Sequence, residues 1–280
     1  MQQVRSWVRE LAAGRTVGPA AARVLEIIEV DPRHASYAST AELAERADVN
    51  VATVVRLAQQ LGFRGWPALR LELRNRYLAS LSANQLLTEH EAVDSPAAEA
   101  VRRDIAGLES LARSIDPAQI ARVAQLIAGA RRTLVVGSGS FAAPGLQLAH
   151  LGQTMGHDVR LQTQGGTALI NELRRLAAGD CLVVFNLWWL PRQIFDAARV
   201  ASGRGAHVVV VTDRRGFADI ATEVVVVPSE GVSLFPSLTP AISVTHGVLA
   251  ELARIDEPAT RRAVAEAEAL WREFDLFERP

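Results

Sequence analysis

The chain has 280 residues, thirty basic against thirty-one acidic side chains, and 49% hydrophobic residues, a size and composition that fit a globular protein of two domains. No stretch approaches the roughly 20 apolar residues of a membrane helix, the start "MQQVRSWVRELAAGR" is amphipathic rather than signal-like, and a single cysteine, Cys181, excludes an internal disulfide. A cytoplasmic protein with a buried, inert thiol is therefore expected. All thirty basic residues are arginine, so no P-loop lysine and no Schiff-base lysine is possible.

The near-neutral total hides an asymmetry. Residues 1–80 carry eleven Arg against eight Asp plus Glu, a balance of +3, and residues 81–280 carry nineteen against twenty-three, a balance of −4. A mildly basic first module on an acidic remainder suits an anionic partner for the first module.

Residues 1–80 read as helical throughout. Val4, Trp7, Val8 and Leu11 recur at helical spacing, as do Val24, Leu25 and Ile28. "DPRHAS" reads as an interruption. Ser39, with Glu42 three residues on, forms a capping box that opens a helix with Leu43, Ala44 and Ala47 on its apolar face. Asn50 caps the next helix, Val51 to about Leu61, and Gly62 ends it. Pro67 suits the first turn of a further helix carrying Leu69, Leu73 and Tyr77. Two short helices with small inner residues and a tight turn make a helix-turn-helix pattern. Val54, Leu57, Ala58 and Leu61 then face the bundle, and Val51, Ala52, Thr53, Arg56, Gln59 and Gln60 face outward. Arginine there can pair bidentately with guanine, glutamine with adenine, and Ala or Val can touch a thymine methyl. Arg46, Arg64, Arg70 and Arg74 are candidate phosphate contacts. A plain helical hairpin with a solvated face is the alternative.

Residues 81–118 read as a linker and connecting helix. Ser95-Pro96 and Asp116-Pro117 each look like a cap with a first-turn proline. Residues 119–280 change to an α/β texture. "RTLVVG", "DVRL", "CLVVF", "HVVVVT" and "EVVVV" are five strand candidates separated by helical segments, as expected of a five-stranded parallel sheet covered on both faces. A last amphipathic helix is expected near 258–275. "LVVGSGSFAAPG" is a strand, a glycine-rich turn and a helix start, in which Gly137, Ser138, Gly139 and Ser140 offer an anion site. Gly137, Gly139 and Ala142 also satisfy a dinucleotide fingerprint. The acidic residue that should close the second strand is missing, because Asp158 precedes it, so no cofactor is expected. The six histidines show no metal-ligand spacing.

"STAELAERADVNVATVVRLAQQLGFRGWPALR" resembles the DNA-binding domain of the RpiR/MurR family of bacterial transcriptional regulators. That family pairs this module with a sugar-isomerase (SIS) domain, which matches the pattern from about 120 to 255. The resemblance implies a DNA-binding regulator controlled by a small metabolite, a phosphosugar in the family's usual form. It also implies a homodimer or homotetramer on double-stranded operator DNA, with no membrane partner. The effector-binding candidates are Gly137, Ser138, Gly139, Ser140, Asn186, Trp188 and Arg192, the last able to supply charge to a phosphate or carboxylate. The chain departs from the family where Phe141 and Asn186, Trp188 and Pro191 replace hydroxyl-bearing residues. Trp188 and Trp189 offer stacking surfaces, or packing against a neighbour. A sugar-phosphate isomerase, with Glu230 or His246 as base, and a metabolite sensor that binds no DNA are the alternatives.

Overall fold

The computed structural model describes residues 2–89, 95–188, 191–232 and 235–277. They form two compact units, Met1–Ala106 with Glu230–Ser237, and Gly107–Ser229 with Leu238–Pro280.

The first unit is helical, with α1 (Gln2–Ala12), α2 (Pro19–Val30), α3 (Pro32–Tyr37), α4 (Thr40–Arg46), α5 (Val51–Gln60), α6 (Trp66–Ala79) and α7 (Ala83–Glu89). The expected interruption at "DPRHAS" is instead the six-residue helix α3: Asp31 accepts the His34 backbone N–H, and Pro32 occupies the first turn. The core includes Val4, Val8, Val24, Ile28, Leu43, Val54, Leu57, Trp66, Leu73 and Leu78. Trp66 is almost fully buried, and its indole N–H donates to Ala38 O at 3.0 Å, so burying this ring leaves no donor unmet. Trp7 stands edge-on to Phe63, with the Arg76 guanidinium 4.5 Å over its face.

Helix α8 (Pro96–Ser114) contributes residues to both units. After it come α9 (Pro117–Gly129), β1 (Thr133–Gly137), α10 (Ala142–Thr154), β2 (Val159–Gln162), α11 (Gly166–Leu173), β3 (Cys181–Asn186), α12 (Arg192–Gly203), β4 (His207–Thr212), β5 (Glu223–Val226), α13 (Thr239–Ile255) and α14 (Glu257–Glu273). The strands pair in parallel in the order β2-β1-β3-β4-β5. Side chains alternate across the sheet, as a period of two requires. Val135, Val183, Phe185, Val209 and Val211 join Ile120, Val123, Leu148, Val244 and Val248 on one face. Leu134, Val136, Leu182, Val184, Val208 and Val210 join Leu169, Leu173, Ile194 and Phe217 on the other. Two buried faces explain why the strands are continuous apolar runs rather than alternating ones.

Helix α10 lies close to the sheet because Gly145 faces Val135 and Gly152 faces Val159, each with room for no side chain. The tightest point is Gly137, where an added Cβ would stand 2.8 Å from Phe141 O and 2.9 Å from Ala142 Cα. Both obstacles are backbone, so the turn after β1 must move to admit a methyl group. Gly137→Ala is expected to lower unfolding stability by about 1–3 kcal/mol, read as an earlier midpoint in urea with unchanged slope.

Candidate nucleic-acid interface and effector pocket

The angle between α4 and α5 is set by the backbone of residues 47–50. Asp48 sits in the left-handed region at φ 49. Val49 N–H donates to Ala44 O and Asp48 N–H to Glu45 O, both at 3.0 Å. These are the two bonds of a Schellman ending. From α2, Arg23 donates to the carbonyls of Ala47 (3.0 Å) and Asp48 (2.7 Å). This arginine escaped the sequence reading, since only the fold brings it to the turn. Asn50 then opens α5 by accepting the Thr53 backbone N–H at 2.9 Å. Gly62, at φ 89, closes α5 with a second Schellman pair, Phe63 N–H to Ala58 O and Gly62 N–H to Gln59 O.

With both ends fixed, α5 buries Val54, Leu57 and Ala58, with Leu61 beyond its end also inside. Val51, Ala52, Arg56, Gln59 and Gln60 are exposed, and Asn50 is exposed at the helix start. Thr53 corrects the expected outward strip: it is only 9% exposed, because its hydroxyl turns back to donate to Asn50 Oδ1 at 3.0 Å. Arg56 and Arg64 are exposed and unpaired among the described residues. Arg46 is half exposed and holds Asp31 at 3.0 Å. The expectation for Arg70 and Arg74 also needs correction. Arg70 donates to Ala38 O, and Arg74 pairs with Glu230 while stacking over Tyr37 at 4.2 Å. No acidic residue lies within α5.

In the second unit the strand order reverses between β1 and β3, and the crevice outside the carboxyl ends of a parallel sheet at such a reversal is its general ligand position. The segments that follow β1 and β3 leave the sheet there, from the register pair Gly137 and Phe185. Ser138 is half-buried and Gly139 and Ser140 are exposed. Gly139, at φ 57, starts a short 3-10 turn that runs into α10. Asn186 and Trp188 are buried, and Trp188 is held at φ 63 with its backbone N–H on Asp213 Oδ2 at 2.7 Å. Arg192 is not drawn inward. Its side chain is 95% exposed and runs along α12 toward Asp196. Trp189 lies outside the described residues. Asp158 precedes β2 and pairs with Arg160 and Arg132, away from the carboxyl edge where a dinucleotide ribose would need it. The proposed isomerase bases are not poised: Glu230 is held by Arg74 and Arg103, and His246 is exposed beside Gln147 at 2.6 Å.

Residues 13–80 match the family model for the helix-turn-helix domain of the rpiR family. The chain is 27% identical over 215 residues to the HTH-type transcriptional regulator HexR of Pseudomonas aeruginosa, covering 76% of this chain and 72% of that protein. Among solved structures, the sugar isomerase domain of an RpiR transcription factor from Sphaerobacter thermophilus is similar at 26% identity and a TM-score of 0.58, over 61% of this chain and 97% of that one. The NanR protein of Vibrio vulnificus, complexed with ManNAc-6P, has a similar fold at 19% identity and a TM-score of 0.61, over 99% of this chain and all of that one.

A capped helix-turn-helix joined to an α/β unit of the sugar-isomerase type defines a DNA-binding regulator built as a reading head and a ligand domain. Residues 13–80 carry the helix-turn-helix domain of the rpiR family, and the chain as a whole is similar to HTH-type transcriptional regulators.

Two carboxyls make this head sensitive to acid. The His34 backbone N–H, ahead of the Arg46 charge, lowers the Asp31 pKa, and the Ser39 N–H lowers that of Glu42. A folded-state pKa below the unfolded one gives stability that is complete above about pH 4 and is lost as pH falls through the folded value. Melting temperature followed from pH 6 to pH 3 should fall less steeply in Asp31→Asn and Glu42→Gln than in the parent.

Proposed function

We propose that the chain binds a near-palindromic operator as a symmetric homodimer or homotetramer, with α5 of two subunits entering successive major grooves about one helical turn apart. The exposed strip of α5 carries this reading. Val51, Ala52, Arg56, Gln59 and Gln60 stand on a helix fixed at both ends, with no acidic residue among them and Arg56 unpaired among the described residues. Asn50 and Thr53 serve as the cap that presents the strip, and Arg46 and Arg64 flank it as phosphate contacts.

The second unit takes a small metabolite at the carboxyl edge of the sheet, between the loop of Ser138, Gly139 and Ser140 and the end of β3 at Asn186 and Trp188. The effector is a phosphosugar or another acidic polar metabolite. Backbone N–H groups at the start of a helix suit its anionic group, and the related NanR fold is known complexed with ManNAc-6P. Residues 81–118 carry the response to the reading head, with a coupling of about 1–3 kcal/mol between effector and operator. No observation favours catalysis, because both candidate bases are placed for other contacts.

A gel shift with DNA from upstream of the protein's own gene, at two salt concentrations, tests the reading. Salt-dependent binding is expected, and its absence on every fragment would leave only a metabolite sensor. Arg56→Ala should weaken the cognate complex by about 1–3 kcal/mol and leave binding to random DNA nearly unchanged. Arg64→Ala should instead weaken both alike and flatten the salt slope by about one.

A further inference from the structure

Helix α8 carries an apolar stripe on its outer side. Ala98, Val101, Ile105, Leu108 and Ala112 follow one another at spacings of three, four, three and four residues, which are the a and d positions of a heptad seam. Val101 and Ile105 are 60% and 52% exposed, Ala98 and Ala112 are exposed, and Leu108 is half-buried. The side of α8 that meets its own chain is a different one. There Leu111 is buried, Arg103 pairs with Glu230, Asp104 accepts the Ser237 hydroxyl, and a Cβ added at Gly107 would touch Pro240 at 3.4 Å. An apolar arc this narrow is a seam for another helix rather than a face for a broad core, and apolar side chains gathered on an outer surface mark a contact site.

We propose that α8 pairs antiparallel with α8 of a second copy of this chain along the stripe. The proposal rests on the homo-oligomer proposed above and names a surface that makes it. The charges beside the stripe select the occupant. Ala98, Ile105 and Ala112 stand at position a, Val101 and Leu108 at d, Arg102 and Glu109 at e, and Asp104 at g. In an antiparallel pair each a faces a d of the other helix and the e positions face one another. Arg102 of each copy then meets Glu109 of the other, twice around a two-fold axis. A parallel pair would instead set Asp104 beside Glu109, like against like, on both sides. A patch that complements itself is what two-fold symmetry requires, and this chain supplies it. Arg102 and Glu109 can turn across the seam. Their ion pairs within α8, with Glu99 at 3.0 Å and Arg113 at 3.8 Å, leave the Arg102 side chain 62% and the Glu109 side chain 64% exposed, and exposed pairs hold a side chain only weakly. The seam runs over about 21 Å of helix, too little to bury the roughly 800 Å² per partner of a standard interface, so it adds to an interface rather than making all of one.

The test uses the full chain, with self-association followed by fluorescence-detected sedimentation from nanomolar to micromolar chain. Ile105→Glu should weaken association about tenfold or more. Arg102→Glu and Glu109→Arg, exposed changes that leave the core untouched, should each weaken it about fivefold. An equal mixture of these two charge variants should recover the parent's affinity, because each then meets the opposite charge that an identical copy lacks. Arg102 and Glu109 are two turns apart, beyond the reach of an ion pair within one helix, so recovery reports contact between copies. Association that none of the variants changes, or a mixture no tighter than the single variants, overturns the seam and leaves the oligomeric regulator standing. A parent that stays monomeric at micromolar chain overturns both. A parent that associates as expected but binds no DNA leaves the seam standing and removes the regulator reading.

Discussion

Two backbone carbonyls decide where α5 points. The chain reverses between α4 and α5 in four residues, which leaves the oxygens of Ala47 and Asp48 at the end of a helix with no partner in α4. Arg23 reaches from α2 to bond both. A planar guanidinium with several fixed donors can hold two carbonyls at once, which a lysine ammonium does with far less directional control. The crossing of α4 and α5, the burial of Leu57 and the exposure of Arg56 all follow from that turn. Asp48 takes a left-handed conformation that only glycine adopts without strain and that Asp and Asn tolerate better than most residues. The strain is confined to the segment that sets the aim of the helix.

The second unit solves a different problem. Its sheet is buried on both faces, so a ligand has access only at the ends of the strands. Glycines at 137, 145 and 152 let α10 approach the sheet closely, and the helix start is thereby held beside the β1–β3 reversal. Trp188 is buried there, and Asp213 accepts its backbone N–H.

Much of this was legible in the chain before any coordinates. The helical period, the capping box at Ser39 and Glu42, the cap at Asn50 and the stop at Gly62 are local signals, and each stands where its chemistry places it. The five strands and their parallel pairing follow from five apolar runs separated by helices. Where the local sequence misleads, the deciding partner is distant or the element is short. Asp31-Pro32 begins a helix for the same reason as Asp116-Pro117, a carboxylate cap before a first-turn proline, yet its shortness made it look like a break. Thr53 lies on the outer arc of an ideal wheel, but its hydroxyl is drawn back to the cap. Arg74 resembles a phosphate contact until Glu230, 156 residues away, is brought to it.

The lone thiol has a practical consequence. Cys181 opens the middle strand of the sheet, is wholly buried, and has its pKa pushed up to about 12 by that burial. Thiolate is the species that alkylating reagents attack, so the native chain is protected against them twice, by access and by ionisation. The rate at which such a reagent modifies the protein therefore clocks the opening of the sheet itself. A second cysteine placed on the surface would take a fluorophore there and nowhere else while the sheet stays closed.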